Sequence, residues 1–122
     1  MVGFFYVMLG GSLGAALRYA AGLLVGSGVL ATLWVNLLGS FLLGVLAAVS
    51  LARNWTGEEG LWLFLGVGVL GAFTTYSAFS RETALMLLND QTLKAAGYIL
   101  INALGAVAAF LIGYVGLKGM LS

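Results

Sequence analysis

The chain has 122 residues, of which 62% are hydrophobic and only 7% are charged. Soluble domains carry about 25% charged residues, so the composition indicates an integral membrane protein. A net charge of +1 and the lack of Cys and His exclude a nucleic-acid-binding surface, disulfides, thiolate chemistry and ordinary zinc or haem sites.

Four apolar segments follow one another along the chain, separated by short polar stretches. Their predicted bounds are residues 2–25, 29–52, 60–88 and 93–118. Each reaches the ~20 residues that a helix needs to cross ~30 Å of hydrocarbon, and none alternates with the period of two typical of membrane barrels. We therefore predict an all-α integral membrane protein in which residues 1–122 form one domain of four transmembrane helices.

The first segment carries a stripe of small residues and one cation well inside its end. Gly11, Gly14, Arg18 and Gly22 recur at helical spacing, so they share a face. Close packing between helices explains the glycines. Arg18 either extends its side chain to the membrane interface or lies in a wet vestibule that attracts anions.

The second and fourth segments each carry two polar side chains one helical turn apart. Thr32 and Asn36 are four residues apart, as are Tyr98 and Asn102, so each pair lies on one face. Hydrogen bonds between helices explain such groups as well as a polar path through the protein does. The spacing alone leaves both interpretations open.

The third segment is long and has a polar centre, LGAFTTYSAFS at 70–80. As one straight helix it would span about 43 Å, more than the hydrocarbon core. In one interpretation the helix is straight and its Thr and Ser hydroxyls bond to carbonyls one turn back. In the other it breaks and lines a wet cavity, where freed carbonyls can hold a cation.

Positive charge is nearly balanced between the two sides of the predicted bundle. Arg53 and Lys118 fall on one side, whereas Lys94 falls on the other, with Arg18 and Arg81 set deeper toward it. The positive-inside rule therefore gives almost no preferred orientation. Either a weak local signal sets the topology, or the chain inserts both ways and pairs antiparallel.

Three motifs together resemble the Fluc/CrcB family of fluoride ion channels. They are GGSLGAALRY at 10–19, NLLGSFLLG at 36–44 and GAFTTYSAFSRE at 71–82, and the resemblance covers essentially the whole chain. It implies a non-enzymatic, fluoride-selective channel that exports fluoride from the cytoplasm by passive conduction. It also implies an antiparallel dual-topology homodimer with two pores, in the plasma membrane of a bacterium or archaeon (the inner membrane if Gram-negative).

The resemblance further implies a third helix broken near its middle and a structural sodium ion at the dimer centre. Backbone carbonyls of Gly71 and Thr74 from each chain would hold that ion. Combining the resemblance with the available donors and ring edges, we predict a fluoride path along nine residues. These are Arg18, Thr32, Asn36, Tyr76, Ser77, Phe79, Glu82, Tyr98 and Asn102.

The chain departs from the family pattern at three of the matched positions. Tyr76 stands where a phenylalanine is usual, and Asn102 and Ala106 stand where some members carry hydroxyl residues. These changes alter the polar lining that replaces the hydration shell of an anion. We therefore expect the residues that line the fluoride route in this chain to differ from those of the family pattern.

Two other classes of protein compete with this interpretation. A small dual-topology proton-coupled multidrug exporter needs a carboxylate in its first helix, but residues 2–25 contain no Asp or Glu. A non-transporting membrane scaffold would need glycine faces for packing only, and the polar centre of the third segment argues against it.

Overall fold

The computed structural model describes residues 1–121, which form helices and short connections with no strand. Four spans are long and apolar enough to cross a membrane, which confirms the prediction of an all-α fold with four helices capable of spanning a membrane. The third span, Gly60–Leu88, is built from several helical pieces. The elements are α1 (Val2–Val25), α2 (Val29–Ala52), α3 (Gly60–Trp62), a π-helix (Leu63–Leu70), α4 (Gly71–Phe73), α5 (Tyr76–Leu88) and α6 (Thr92–Leu121).

Helix α6 runs on to Leu121, although the sequence predicts an end near residue 118. Lys118 lies in the last turn of the helix, where a cation interacts favourably with the helix dipole.

At the other end of the bundle, a tight turn joins α1 to α2. Gly26 and Gly28 there have φ of 88° and 102°, which only glycine adopts without strain.

Helix α2 packs lengthwise against α6, and glycines let the two backbones approach closely. A Cβ on Gly44 would clash with the carbonyl of Phe110, and one on Gly113 would clash with the carbonyl of Phe41. The close approach brings the polar faces of α2 and α6 into direct contact.

Helix α1 packs in the same way on the π-helix Leu63–Leu70. A Cβ on Gly10 would clash with the carbonyl of Phe64, and one on Gly14 with the carbonyl of Val69. Of the glycine stripe predicted in the first segment, Gly14 serves this packing, whereas a Cβ on Gly11 or Gly22 would meet no atom within 4 Å.

The backbone leaves the helical conformation at two residues near the middle of the third span. Thr74 has φ −77° and ψ 157°, and Thr75 has φ −149° and ψ 120°. Helix resumes at Tyr76, where Thr75 is the N-cap and its hydroxyl accepts a hydrogen bond of 3.1 Å from the amide of Ala78. Thr is a favoured N-cap residue because its side chain satisfies an amide that has no helical partner.

Candidate functional site

Three polar residues meet where α2 and α6 face the extended backbone of the third span. We call them the amide cluster: Asn36, Thr75 and Asn102. The Asn36 Oδ1 accepts a hydrogen bond of 2.7 Å from the Thr75 amide. The Asn36 Nδ2 donates two bonds, one of 3.0 Å to the Thr75 carbonyl and one of 3.0 Å to Asn102 Oδ1. Both hydrogens of that amide are therefore used within the protein.

The orientation of both side-chain amides follows from one backbone group. Because the Thr75 N–H can only donate, it requires the oxygen of Asn36 on its side. The nitrogen of Asn36 then faces Asn102 and requires an acceptor there, so Asn102 presents its oxygen and turns its own nitrogen away.

The Asn102 Nδ2 is consequently left without a hydrogen-bond partner among residues 1–121, although Asn102 is only 5% exposed. The Tyr98 hydroxyl donates to Glu82, and no hydrogen bond joins it to the Asn102 Nδ2. Leaving a buried donor unpaired costs about 1–3 kcal/mol, so such a group calls for an explanation.

A second set of polar residues, the carboxylate cluster, consists of Thr32, Glu82 and Tyr98. Thr32 donates to Glu82 Oε1 at 2.8 Å, and the Tyr98 hydroxyl donates to Glu82 Oε2 at 2.6 Å. Glu82 thus joins α2, α5 and α6 through charge-assisted bonds, which are shorter and stronger than neutral ones.

Three aromatic rings connect the two clusters. Tyr76 and Phe79 have ring centroids 5.4 Å apart and tilted by 58°, and Phe79 and Tyr98 are 5.3 Å apart and tilted by 54°. Phe79 is buried, whereas Tyr76 is 79% exposed at the surface of the chain. In tilted pairs a ring edge meets a ring face, and ring edges carry partial positive charge.

Two cavities border these groups, and Thr75 lines both. The first, which we call the amide cavity, measures about 260 Å³ and is lined by Asn36, Ser40, Leu43, Thr74, Thr75, Tyr76, Phe79, Asn102, Ala103 and Ala106. The second, the vestibule, measures about 400 Å³, and its lining includes Arg18, Thr32, Thr75 and Glu82. Seven of the nine predicted residues line one of these two cavities. Tyr98 lines neither but bonds to Glu82, and the exposed Ser77 has its hydroxyl 3.2 Å from that of Thr75.

Arg18 lies in the vestibule wall together with Glu82, but the two do not form a salt bridge, and no salt bridge to Arg18 occurs within residues 1–121. The arginine is partly buried. A cation in a concave wall draws anions toward it, since low-dielectric walls focus its field.

The extended backbone leaves carbonyl oxygens available at the two positions predicted to hold sodium. The Thr75 amide donates to Asn36 instead of the Gly71 carbonyl, and the Ala78 amide donates to the Thr75 hydroxyl instead of the Thr74 carbonyl. Carbonyl oxygens are hard donors that suit an alkali cation, so the residues present fit the predicted group.

Thr75 is the one central residue that the sequence analysis did not place at the site. It binds Asn36 through its backbone and caps α5 through its side chain. The available signal was its position: a threonine directly before a helical stretch is a typical N-cap.

Comparison with known proteins agrees with the three motifs. The family model described as CrcB-like protein, Camphor Resistance (CrcB), matches residues 5–114. A fluoride-specific ion channel FluC from Hyphomonas neptunium is 42% identical over 118 residues, which are 93% of each chain. The FluC of Idiomarina loihiensis is 46% identical over 87% of this chain and 84% of its own length, and that of Thermus thermophilus is 47% identical over 88% and 89%.

These relatives are named ion channels, a non-enzymatic function, as predicted for this chain. Together with the four membrane-capable helices, they indicate a multi-pass membrane protein. The family match confirms the resemblance seen in the motifs, and the chain belongs to the CrcB family.

Proposed function

We propose that this chain forms a fluoride-selective channel that exports fluoride from the cytoplasm by passive conduction. The proposal rests on one observation: three proteins named fluoride-specific ion channels are 42%, 46% and 47% identical in sequence to this chain over most of its length. The plasma membrane of a bacterium or archaeon is the proposed location, because export from the cytoplasm requires a channel in the membrane that bounds the cytoplasm.

The chemistry of the site suits a small, strongly hydrated anion. Moving an ion of carboxylate size from water into a medium of dielectric constant 4 costs of order 20 kcal/mol, and a smaller anion costs more. The proposed path replaces that hydration with hydroxyl and amide donors and with the ring edges of Tyr76 and Phe79.

The distribution of charge suits conduction rather than tight binding. Arg18 lies in the vestibule, where it concentrates anions, whereas no Lys or Arg lines the amide cavity. Conduction requires sites that are favourable enough to enter and weak enough to leave. The neutral lining of the amide cavity meets the second condition.

We further propose that the channel is an antiparallel dual-topology homodimer with two pores. Tyr76 is 79% exposed, and Ser77 and Gly71 are also exposed at the surface of a single chain. Polar backbone and hydroxyl groups at membrane depth need protein or water beside them, not lipid. A second chain against this face would cover them and complete each path with residues from both subunits.

The same arrangement would bring together the Gly71 and Thr74 carbonyls of two chains, and we propose that they hold a structural sodium ion. Such an ion supplies fixed positive charge and links the two extended segments. The family resemblance assigns these two residues, and the proposal is supported by the Thr75 and Ala78 amides, which donate to side chains and not to the Gly71 and Thr74 carbonyls.

Fluoride efflux from liposomes containing the purified protein tests the proposed function. We expect rapid release of fluoride, followed with a fluoride electrode, and no release of chloride from matched vesicles. Release no faster than from protein-free vesicles would contradict the channel and favour a scaffold. Proton flux that depends on an added cationic drug would instead indicate the exporter.

A further inference from the structure

We propose that Asn102 is the main amide donor to fluoride in the amide cavity, and that Asn36 is a positioning residue that orients it. The inference rests on the proposed fluoride channel and deepens it. It is drawn from the hydrogen bonds already made by the donors that line the path.

Most of the predicted donors are already committed to other groups of the protein. Asn36 uses both of its N–H groups on Thr75 and Asn102. The Thr32 and Tyr98 hydroxyls each donate their single hydrogen to Glu82. An anion that recruited any of these donors would have to break an existing bond in the membrane interior.

Asn102 differs from these groups because its nitrogen is unpaired among residues 1–121. The residue is 5% exposed and borders the amide cavity beside Phe79 and Tyr76. An anion there would gain an amide donor from one side and ring edges from the other. No existing hydrogen bond of Asn102 would have to be broken.

Asn36 acts through Asn102 in this arrangement. The Thr75 N–H fixes the oxygen of Asn36, so the nitrogen of Asn36 holds the oxygen of Asn102. That contact keeps the Asn102 nitrogen on the remaining side. The positive end of α5, which begins at Tyr76 beside the same cavity, also favours an anion.

The test compares Asn102→Thr with Asn102→Val, which have the same shape but differ in one hydroxyl. The threonine hydroxyl can accept from Asn36 and donate to an anion, whereas valine can do neither. We expect the valine variant to lose roughly tenfold or more in fluoride affinity and efflux rate, and the threonine variant to stay near wild type. Affinity is measured by calorimetric titration with sodium fluoride, using sodium chloride as the comparison.

A third variant, Asn102→Ala, covers the case in which the valine variant fails to fold. Alanine removes the donor with a smaller side chain and is the strongest helix former, so we expect the variant to fold and to lose fluoride binding. Matched controls are Asn89→Thr and Asn89→Val at the exposed end of α5, where the side chain bonds only to the Leu85 carbonyl. Both control variants should bind and release fluoride normally.

The outcomes separate this inference from the proposed function. If the wild type releases fluoride and the folded valine or alanine variant binds it equally well, the assignment of Asn102 is wrong and the channel stands. Equal losses in the threonine and valine variants would also overturn it, because the shape of Asn102 would then matter and not its donor. A wild type that neither binds nor releases fluoride overturns both.

Discussion

At the scale of single residues, most buried polar side chains described in this protein bond to one another inside an apolar bundle, and the Asn102 nitrogen is the exception among residues 1–121. Glu82 takes bonds from two helices, and Asn36 holds both an extended backbone segment and a neighbouring amide. Helical spacing in the sequence predicts that Asn36 lies on a polar face, whereas Glu82 is predicted from the family resemblance. Neither signal identifies the partners of these residues, since a shared face specifies direction but not which groups meet.

Phe79 lies between Tyr76 and Tyr98, and its replacement by isoleucine tests the role of its ring edge. We expect Phe79→Ile to reduce fluoride efflux roughly tenfold, because an edge interaction of about 1.5 kcal/mol is lost while most of the bulk is kept. The matched control is Phe110→Ile on α6, whose ring stacks on Tyr114 away from both cavities. Unchanged efflux in the folded Phe79→Ile variant would show that the ring contributes packing and not an interaction with fluoride.

The hydroxyl of Tyr98 can be removed without removing its ring. We expect Tyr98→Phe to lower the free energy of unfolding by about 1–3 kcal/mol, because Glu82 loses a charge-assisted donor at 2.6 Å. Thermal unfolding in detergent measures the change. Tyr114→Phe on the same helix is the control and should change the free energy of unfolding little. An equal decrease in the two variants would show that the bond to Glu82 does not account for the loss of stability.

At the scale of elements, backbone contacts through glycine determine which helices meet. The spacing of the glycines predicts close packing, and the structure places Gly44 and Gly113 at the α2–α6 contact. The π-helix Leu63–Leu70 was not predicted. No residue type there specifies it, and it forms where the span packs against the glycine face of α1.

Two glycines one turn apart on α6 allow a paired test of this packing. We expect Gly113→Ala to destabilise the protein by about 1–3 kcal/mol, since the added Cβ would clash with the Phe41 carbonyl. Gly116→Ala meets no atom within 4 Å and should leave stability unchanged or raise it by up to about 1 kcal/mol. Equal thermal unfolding of the two variants would contradict the close approach of α2 and α6.

At the scale of the whole molecule, the proposed second chain would cover the exposed polar groups of the third span, and the balanced charges leave both orientations open to each chain. The chain contains no Cys, so single cysteines report topology without background. We expect Thr56→Cys and Gln91→Cys, in loops on opposite sides, each to react from outside with an impermeant thiol reagent in about half of the molecules. Complete reaction at one site and none at the other would contradict dual topology.

The sequence by itself determined that the protein belongs in a membrane and where its four spans lie, because crossing a bilayer depends on local hydrophobicity. It also determined the family, because the motifs are contiguous in the chain. It also identified most polar residues of the site through helical spacing. Only the tertiary structure decided that the Asn36 donors are occupied and that the Asn102 nitrogen is free. That outcome depends on the Thr75 N–H meeting Asn36 across 39 residues of chain, which no local pattern specifies.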